Sequence, residues 1–166
     1  MDKERVISML TAYTRNKARC ETLKIENREL SALLQEMRQT QVEDMILVGK
    51  GISGMPSGGS VGDPTGKLAL LLADGGESEP VRQLMQEMER NQRELSRLKA
   101  SVDYVEVWMS ALSPKEREVT AGKYFDGETW AEIAGRLEKS FGVAYTRNTI
   151  RTIAGSALQK ILDIVE

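Results

Sequence analysis

The sequence predicts an all-α protein: a long antiparallel, coiled-coil-like helical hairpin followed by a C-terminal segment of three short helices. Three observations carry this prediction. Two long stretches repeat apolar residues in alternating steps of three and four, the rhythm of helices that pack along a seam. A stretch rich in glycine and proline separates them. The C-terminal third then spells three helix starts in close succession. A hydrophobic content of 40% with only 5% aromatics suits aliphatic helical seams better than aromatic-packed sheets.

The first helix is predicted over residues 2–48. Its seam runs Val6, Met9, Tyr13, Asn16, Cys20, Leu23, Asn27, Leu30, Leu34 and Met37, with Lys, Arg, Glu and Gln outside it. The second, over 78–112, has the cleaner seam: Val81, Leu84, Met88, Asn91, Leu95, Leu98, Val102, Val105, Met109 and Leu112. The two match if residue i faces residue 118 − i. Val6 then meets Leu112, Met9 meets Met109, Tyr13 meets Val105 and Leu23 meets Leu95. Asn27 falls opposite Asn91, where the two amides can hydrogen-bond instead of burying alone. Such a hairpin is roughly 50 Å long at about 1.5 Å per residue. A regular seam fits many partners, so pairing between chains, as a homodimer, is the alternative.

Residues 49–77 form the expected tip. Nine glycines fall between Gly49 and Gly76, with Pro56 and Pro64 among them. Asp63-Pro64 has the form of a cap and first-turn proline, opening a short helix through Leu68 and Leu72 that stops at Gly75-Gly76. A glycine-rich loop before a helix can cradle phosphate. Here Gly66-Lys67-Leu68 lacks the hydroxyl residue that a nucleotide loop places after its lysine, so no cofactor is assigned.

Residues 113–166 make the second predicted domain, after a hairpin domain of 1–112. Ser113-Pro114-Lys115-Glu116 is a capping box with proline at the first helical position. Thr129-Trp130-Ala131-Glu132 is a second capping box after the turn Asp126-Gly127, and Thr146 caps a third helix. The middle helix should span about eight residues, too few to stand alone. The expected buried set is Val119, Tyr124, Trp130, Ile133, Ala134, Leu137, Ile150, Ile153, Leu158 and Ile161.

Several function classes are disfavoured. The chain has no histidine and one cysteine, Cys20, which removes the commonest general base and the usual zinc ligands. No acid, base and nucleophile set converges, so no catalytic or metal residue is assigned. No apolar run approaches the roughly 20 residues of a membrane span. A single cysteine fits a reducing cytoplasm. The net charge of −2 means that any nucleic-acid binding must rest on a local patch.

Leu112 to Val119, then Tyr124 to Ala134, resemble the first half of sigma-factor region 4. Thr149-Ile150-Arg151 with Ala157-Leu158-Gln159-Lys160-Ile161 resembles its second half. Residues 138–145 depart from the pattern, which has a shorter turn; the insert either lengthens the second helix or tilts the third. Over the whole chain, the long first helix, Gly54-Met55-Pro56, Asp63-Pro64-Thr65, the second helix and the C-terminal motif are similar to phage RinA and ArpU type late regulators. The resemblance implies a helix-turn-helix DNA reader that activates late or packaging genes from a promoter, with host RNA polymerase as a partner, in the bacterial cytoplasm.

On that reading the third helix enters the major groove. From Thr146 to Ile161 it carries Arg147, Arg151 and Lys160 and no acid. Arg147, Asn148, Arg151 and Thr152 lie on its first two turns, where arginine can pair with guanine and asparagine with adenine. Lys160 and Lys115 are assigned to phosphate, with Lys123 beside Lys115, and Thr146 and Thr149 to capping or phosphate contact. Residues 113–166 hold eight basic and eight acidic residues, so affinity per monomer should be modest and tight occupancy should need a dimer or the polymerase. Two other classes stay open: a small terminase-like packaging protein, whose DNA-binding motif would ordinarily precede its hairpin, and a protein that binds RNA polymerase without touching DNA.

Overall fold

A computed structural model describes residues 1–50 and 78–165. The glycine-rich tip expected at 49–77, with its Asp63-Pro64 cap and short helix, lies outside the described residues apart from Gly49 and Lys50, which end the first helix. The described chain is helical, with no strand: α1 (Lys3–Lys50), α2 (Glu79–Ala111), α3 (Pro114–Thr120), a π-helical turn (Ala121–Phe125), α4 (Trp130–Phe141) and α5 (Arg147–Val165). The predicted limits of the two long helices fall within two residues of those found.

The helices start where the sequence says they should, for local reasons. Asp2 accepts the Arg5 amide and opens α1 at 2.8 Å. At α3, Ser113 Oγ accepts the Glu116 amide while the Glu116 carboxylate accepts the Ser113 amide, a closed capping box with Pro114 inside it. Thr129 and Glu132 repeat the arrangement at α4. Thr146 Oγ1 accepts the Thr149 amide at 3.2 Å and caps α5.

The chain divides into two compact units. One comprises Met1–Glu21 with Leu95–Glu166, the other Thr22–Glu94. In the first unit, Val6 and Leu10 of α1, Val105 and Trp108 of α2, and Leu112 just after α2 share one core with Ala157, Leu158 and Ile161 of α5. Met9, Tyr13 and Met109 pack against it, so three layers of the predicted antiparallel register (Val6 with Leu112, Met9 with Met109, Tyr13 with Val105) fall in one cluster. Polar bonds across the helices agree: Tyr13 Oη donates to Glu106 at 3.0 Å and Lys17 Nζ donates to the same carboxylate at 2.8 Å. The hairpin therefore closes within the chain. A second core joins Val119, Ile133, Leu137, Ile150 and Ala154 from α3, α4 and α5.

In the other unit α1 and α2 also pair antiparallel. Arg38 meets the Met85 sulfur at 3.5 Å, and every predicted seam position is buried or half-buried. One expectation fails there. Asn91 is buried, but Asn27 Oδ1 is buried with no hydrogen-bond partner, so the amide pair predicted across this layer is not closed through that oxygen. Both residues lie on the seam as the heptad requires; heptad spacing fixes which face a residue occupies, not the rotamer that would join two amides.

Two further differences arise in the C-terminal helices. The middle helix has 12 residues, not about eight. The insert lengthens it to Phe141, and Gly142 ends it at φ 67°, a left-handed geometry that favours glycine. The second difference is the π-helical turn after Thr120, which sets Phe125 on Tyr13 of α1 with ring centroids 4.5 Å apart. No spacing in the sequence announces that widened turn. Of the expected buried set, Val119, Ile133, Leu137, Ile150, Leu158 and Ile161 are buried, while Tyr124, Trp130, Ala134 and Ile153 are half-buried.

Candidate nucleic-acid interface

α5 buries one face and exposes the other. Ile150, Ala154, Ala157, Leu158 and Ile161 are buried against the two cores. Their spacing of three and four leaves Arg147, Asn148, Arg151, Thr152, Gly155 and Gln159 exposed. The helix has no acidic residue in its first turn, so the positive end of its dipole and Arg147 reinforce one another. Gly155 stands one turn beyond Arg151, and among the described residues nothing comes within 4 Å of where its side chain would begin.

The residues singled out in the sequence sort into three groups. Arg147, Asn148, Arg151 and Thr152 are together on the exposed turns, where Thr152 Oγ1 donates to the Asn148 carbonyl at 3.0 Å. Thr146 and Thr149 serve the helix start: their hydroxyls lie 2.9 Å apart, and Thr146 takes the cap bond. Lys115 and Lys160 are drawn elsewhere. Lys160 Nζ sits 2.7 Å from Glu116 Oε1, joining the far half of α5 to the start of α3. Lys115 Nζ lies 5.6 Å from the Phe141 ring and 5.5 Å from the Tyr145 ring. The inserted turn thus supplies the two aromatic faces on which Lys115 rests.

Glu116 is the most perturbed carboxyl in this part of the chain. The Lys160 ammonium holds it at about 2, helped by the Ser113 amide and hydroxyl and opposed by burial. Glu132 is also lowered, by the Thr129 amide and hydroxyl of its capping box. Both shifts follow from structural bonds. Among the described residues no group of three or more Cys, Asp or Glu side chains could hold a metal ion, and no helix is long and apolar enough to cross a membrane.

Trp130 has a role that the sequence did not disclose. It reads as motif core, and the ring does pack half-buried against the second core. It also carries two cations: Lys123 Nζ lies 4.8 Å from its centroid and Arg151 Cζ 6.0 Å. A tryptophan followed 21 positions later by an arginine has no helical spacing to notice, because the meeting depends on how α4 and α5 cross. Of the basic residues in these helices, Arg117 donates to the Met109 and Leu112 carbonyls, Arg136 pairs with Asp126 and Glu128, and Lys160 pairs with Glu116. Lys115, Lys123, Lys139, Arg147 and Arg151 have no carboxylate partner among the described residues.

No curated protein and no solved structure matches the chain. One family model does, described as "Protein of unknown function (DUF722)", over residues 73–160. That range takes in α2, α3, α4 and α5 as far as Lys160, more than half of the sequence. The chain belongs to this family, protein of unknown function DUF722.

Proposed function

We propose that the chain is a sequence-specific reader of double-stranded DNA that regulates transcription, with α5 as the helix that enters the major groove. One observation carries the reading. The first two turns of α5 expose Arg147, Asn148, Arg151 and Thr152 side by side while its opposite face is buried, and neither arginine has a carboxylate partner among the described residues. Arginine and asparagine at the start of a supported helix are the donors that read guanine and adenine. The two capping boxes and the buried Ile133, Leu137 and Ile150 support the helix, and the resemblance of Leu112–Val119 and Tyr124–Ala134 to sigma-factor region 4 agrees.

The same resemblance, with the order of the whole chain, extends the proposal to a phage-encoded activator of late or packaging genes that works at a promoter with host RNA polymerase. A homodimer would match a palindromic site.

The test is selection from random duplex DNA by the purified protein at two salt concentrations, beside an Arg147→Ala/Arg151→Ala double variant. An enriched motif that the double variant loses is the expected result. Binding without a motif, on a steep salt slope, points to phosphate contact alone and favours a packaging role. Absence of binding at both salts overturns autonomous DNA recognition and leaves binding to polymerase as the reading.

A further inference from the structure

Lys123 and Arg151 come from different elements, the π-helical turn and α5, yet both lie over the indole of Trp130. Neither has a carboxylate partner among the described residues. Two cations drawn to one ring repel each other. A ring face returns only a weak attraction to each cation at an exposed site. An anion shared between them removes the repulsion and gains a charge-assisted bond from each.

The ring is well placed to hold both. Trp130 is the first residue of α4, where the Thr129–Glu132 capping box fixes the backbone. Its side chain is half-buried against Ile133, Ile150 and their neighbours. Arg151 stands one turn after Arg147 on the face proposed to meet DNA. Among anions, a phosphodiester fits this pair best. It offers two unesterified oxygens, one to the guanidinium and one to the ammonium.

We propose that Trp130 is a positioning residue that gathers Lys123 and Arg151 into a clamp for one phosphate of the DNA backbone. Arg151 then grips the backbone, and base edges are left to Arg147 and Asn148. This inference rests on the DNA-binding reading and assigns a separate task within it.

The experiment measures binding of the full chain to a random-sequence duplex and to the duplex enriched in selection, each across a salt series. Trp130→Leu keeps an apolar side chain but removes the ring face. It should weaken binding to both duplexes by the same factor, about five-fold, since 1 kcal/mol is roughly that ratio. It should also make the salt slope shallower by about 1, the value for one lost phosphate contact, and leave the enriched motif unchanged. Trp130→Phe should restore most of the slope. Lys123→Gln, which removes the charge and leaves the Trp130 ring in place, should reduce the slope by about 1 on its own. It provides the test should Trp130→Leu fail to fold, as judged by far-UV circular dichroism. An unchanged slope in Lys123→Gln, or a motif that changes in Arg151→Ala, overturns the clamp while leaving DNA recognition intact. Failure of the parent protein to bind either duplex overturns both.

Discussion

Replacing Glu116 by glutamine should loosen the joint between α3 and α5, and should do so in a pH-dependent way. The Glu116 side chain is 9% exposed and sits where four groups converge. Lys160 Nζ lies at 2.7 Å, the Ser113 amide at 3.0 Å, the Ser113 hydroxyl at 2.8 Å and the Ser156 hydroxyl at 3.4 Å. The ammonium is the main reason that the carboxyl is held at about 2 rather than the ordinary 4.5. A displacement of that size corresponds to about 3 kcal/mol if the pair were sealed from water. It is not, because the Lys160 side chain is 51% exposed. Solvent screening reduces the expected loss to about 1–2 kcal/mol. Glutamine still accepts at the capping box through its amide oxygen, so the loss belongs to the charge. The folded carboxyl is more acidic than the unfolded one. Its contribution is therefore complete above the unfolded value and fades as pH falls from about 4.5 toward about 2. Thermal melts of parent and Glu116→Gln should differ by about 3–6 °C near neutral pH, and the gap should close across that window. Equal melting temperatures at neutral pH, or a gap that stays constant down to the lowest pH, would refute the assignment.

Three further outcomes follow from the packing. Leu10→Ala removes a fully buried side chain from the core that α1 shares with α5, and should cost about 2–5 kcal/mol in urea unfolding while weakening DNA binding on the proposed reading. A stability like the parent's would mean that the hairpin base does not support α5. Gly122→Ala places a methyl against the Arg136 guanidinium and 2.6 Å from Glu128 Oε2. It should dislodge the 2.8 Å bond from Arg136 to the Glu118 carbonyl and lower stability by about 1–3 kcal/mol, measured by denaturant midpoint. Gly155→Ala fills open space in the middle of α5, so melting should show a gain of about 0.5–1 kcal/mol from helix propensity alone. A loss there would show that some contact of this chain needs the gap.

The long helices and their pairing were legible because heptad spacing is a direct record of burial. Positions such as Val6, Leu23, Val81 and Val105, read as seam, are fully buried. The caps were legible for an equally local reason. Ser113 with Glu116, and Thr129 with Glu132, meet because the helix itself brings residues three apart together. What escaped the sequence depends on crossings between elements. Lys160 looks free along its own helix and is claimed by Glu116, 44 residues away. Lys115 meets Phe141 and Tyr145 only because residues 138–145 bring those two rings back to the start of α3. The Asn27–Asn91 bond was over-read, since sharing a layer does not guarantee a shared hydrogen bond.

Net charge is a poor guide to this chain because its charges are sorted in space. Residues 113–166 balance in number, which argues against nucleic acid if charges are only summed. Four of the eight acids, however, are turned to internal tasks. Glu116 binds Lys160, Asp126 and Glu128 bind Arg136, and Glu132 closes the capping box of α4. Each of these uses a carboxylate at a helix start or a crossing, where it satisfies backbone donors or a single committed cation. The cations left over are not spread evenly. Arg147 and Arg151 share the exposed face of α5, and Lys123 joins Arg151 over one indole. A neutral domain can present a positive face in this way, because opposite charges a few ångströms apart inside the fold cancel at a distance while unpaired ones do not. On the proposed reading, removing an internal pair should alter stability first and DNA affinity second. Removing Arg147 or Lys123 should do the reverse, and that inversion is what separates a charged interface from a merely solvated surface.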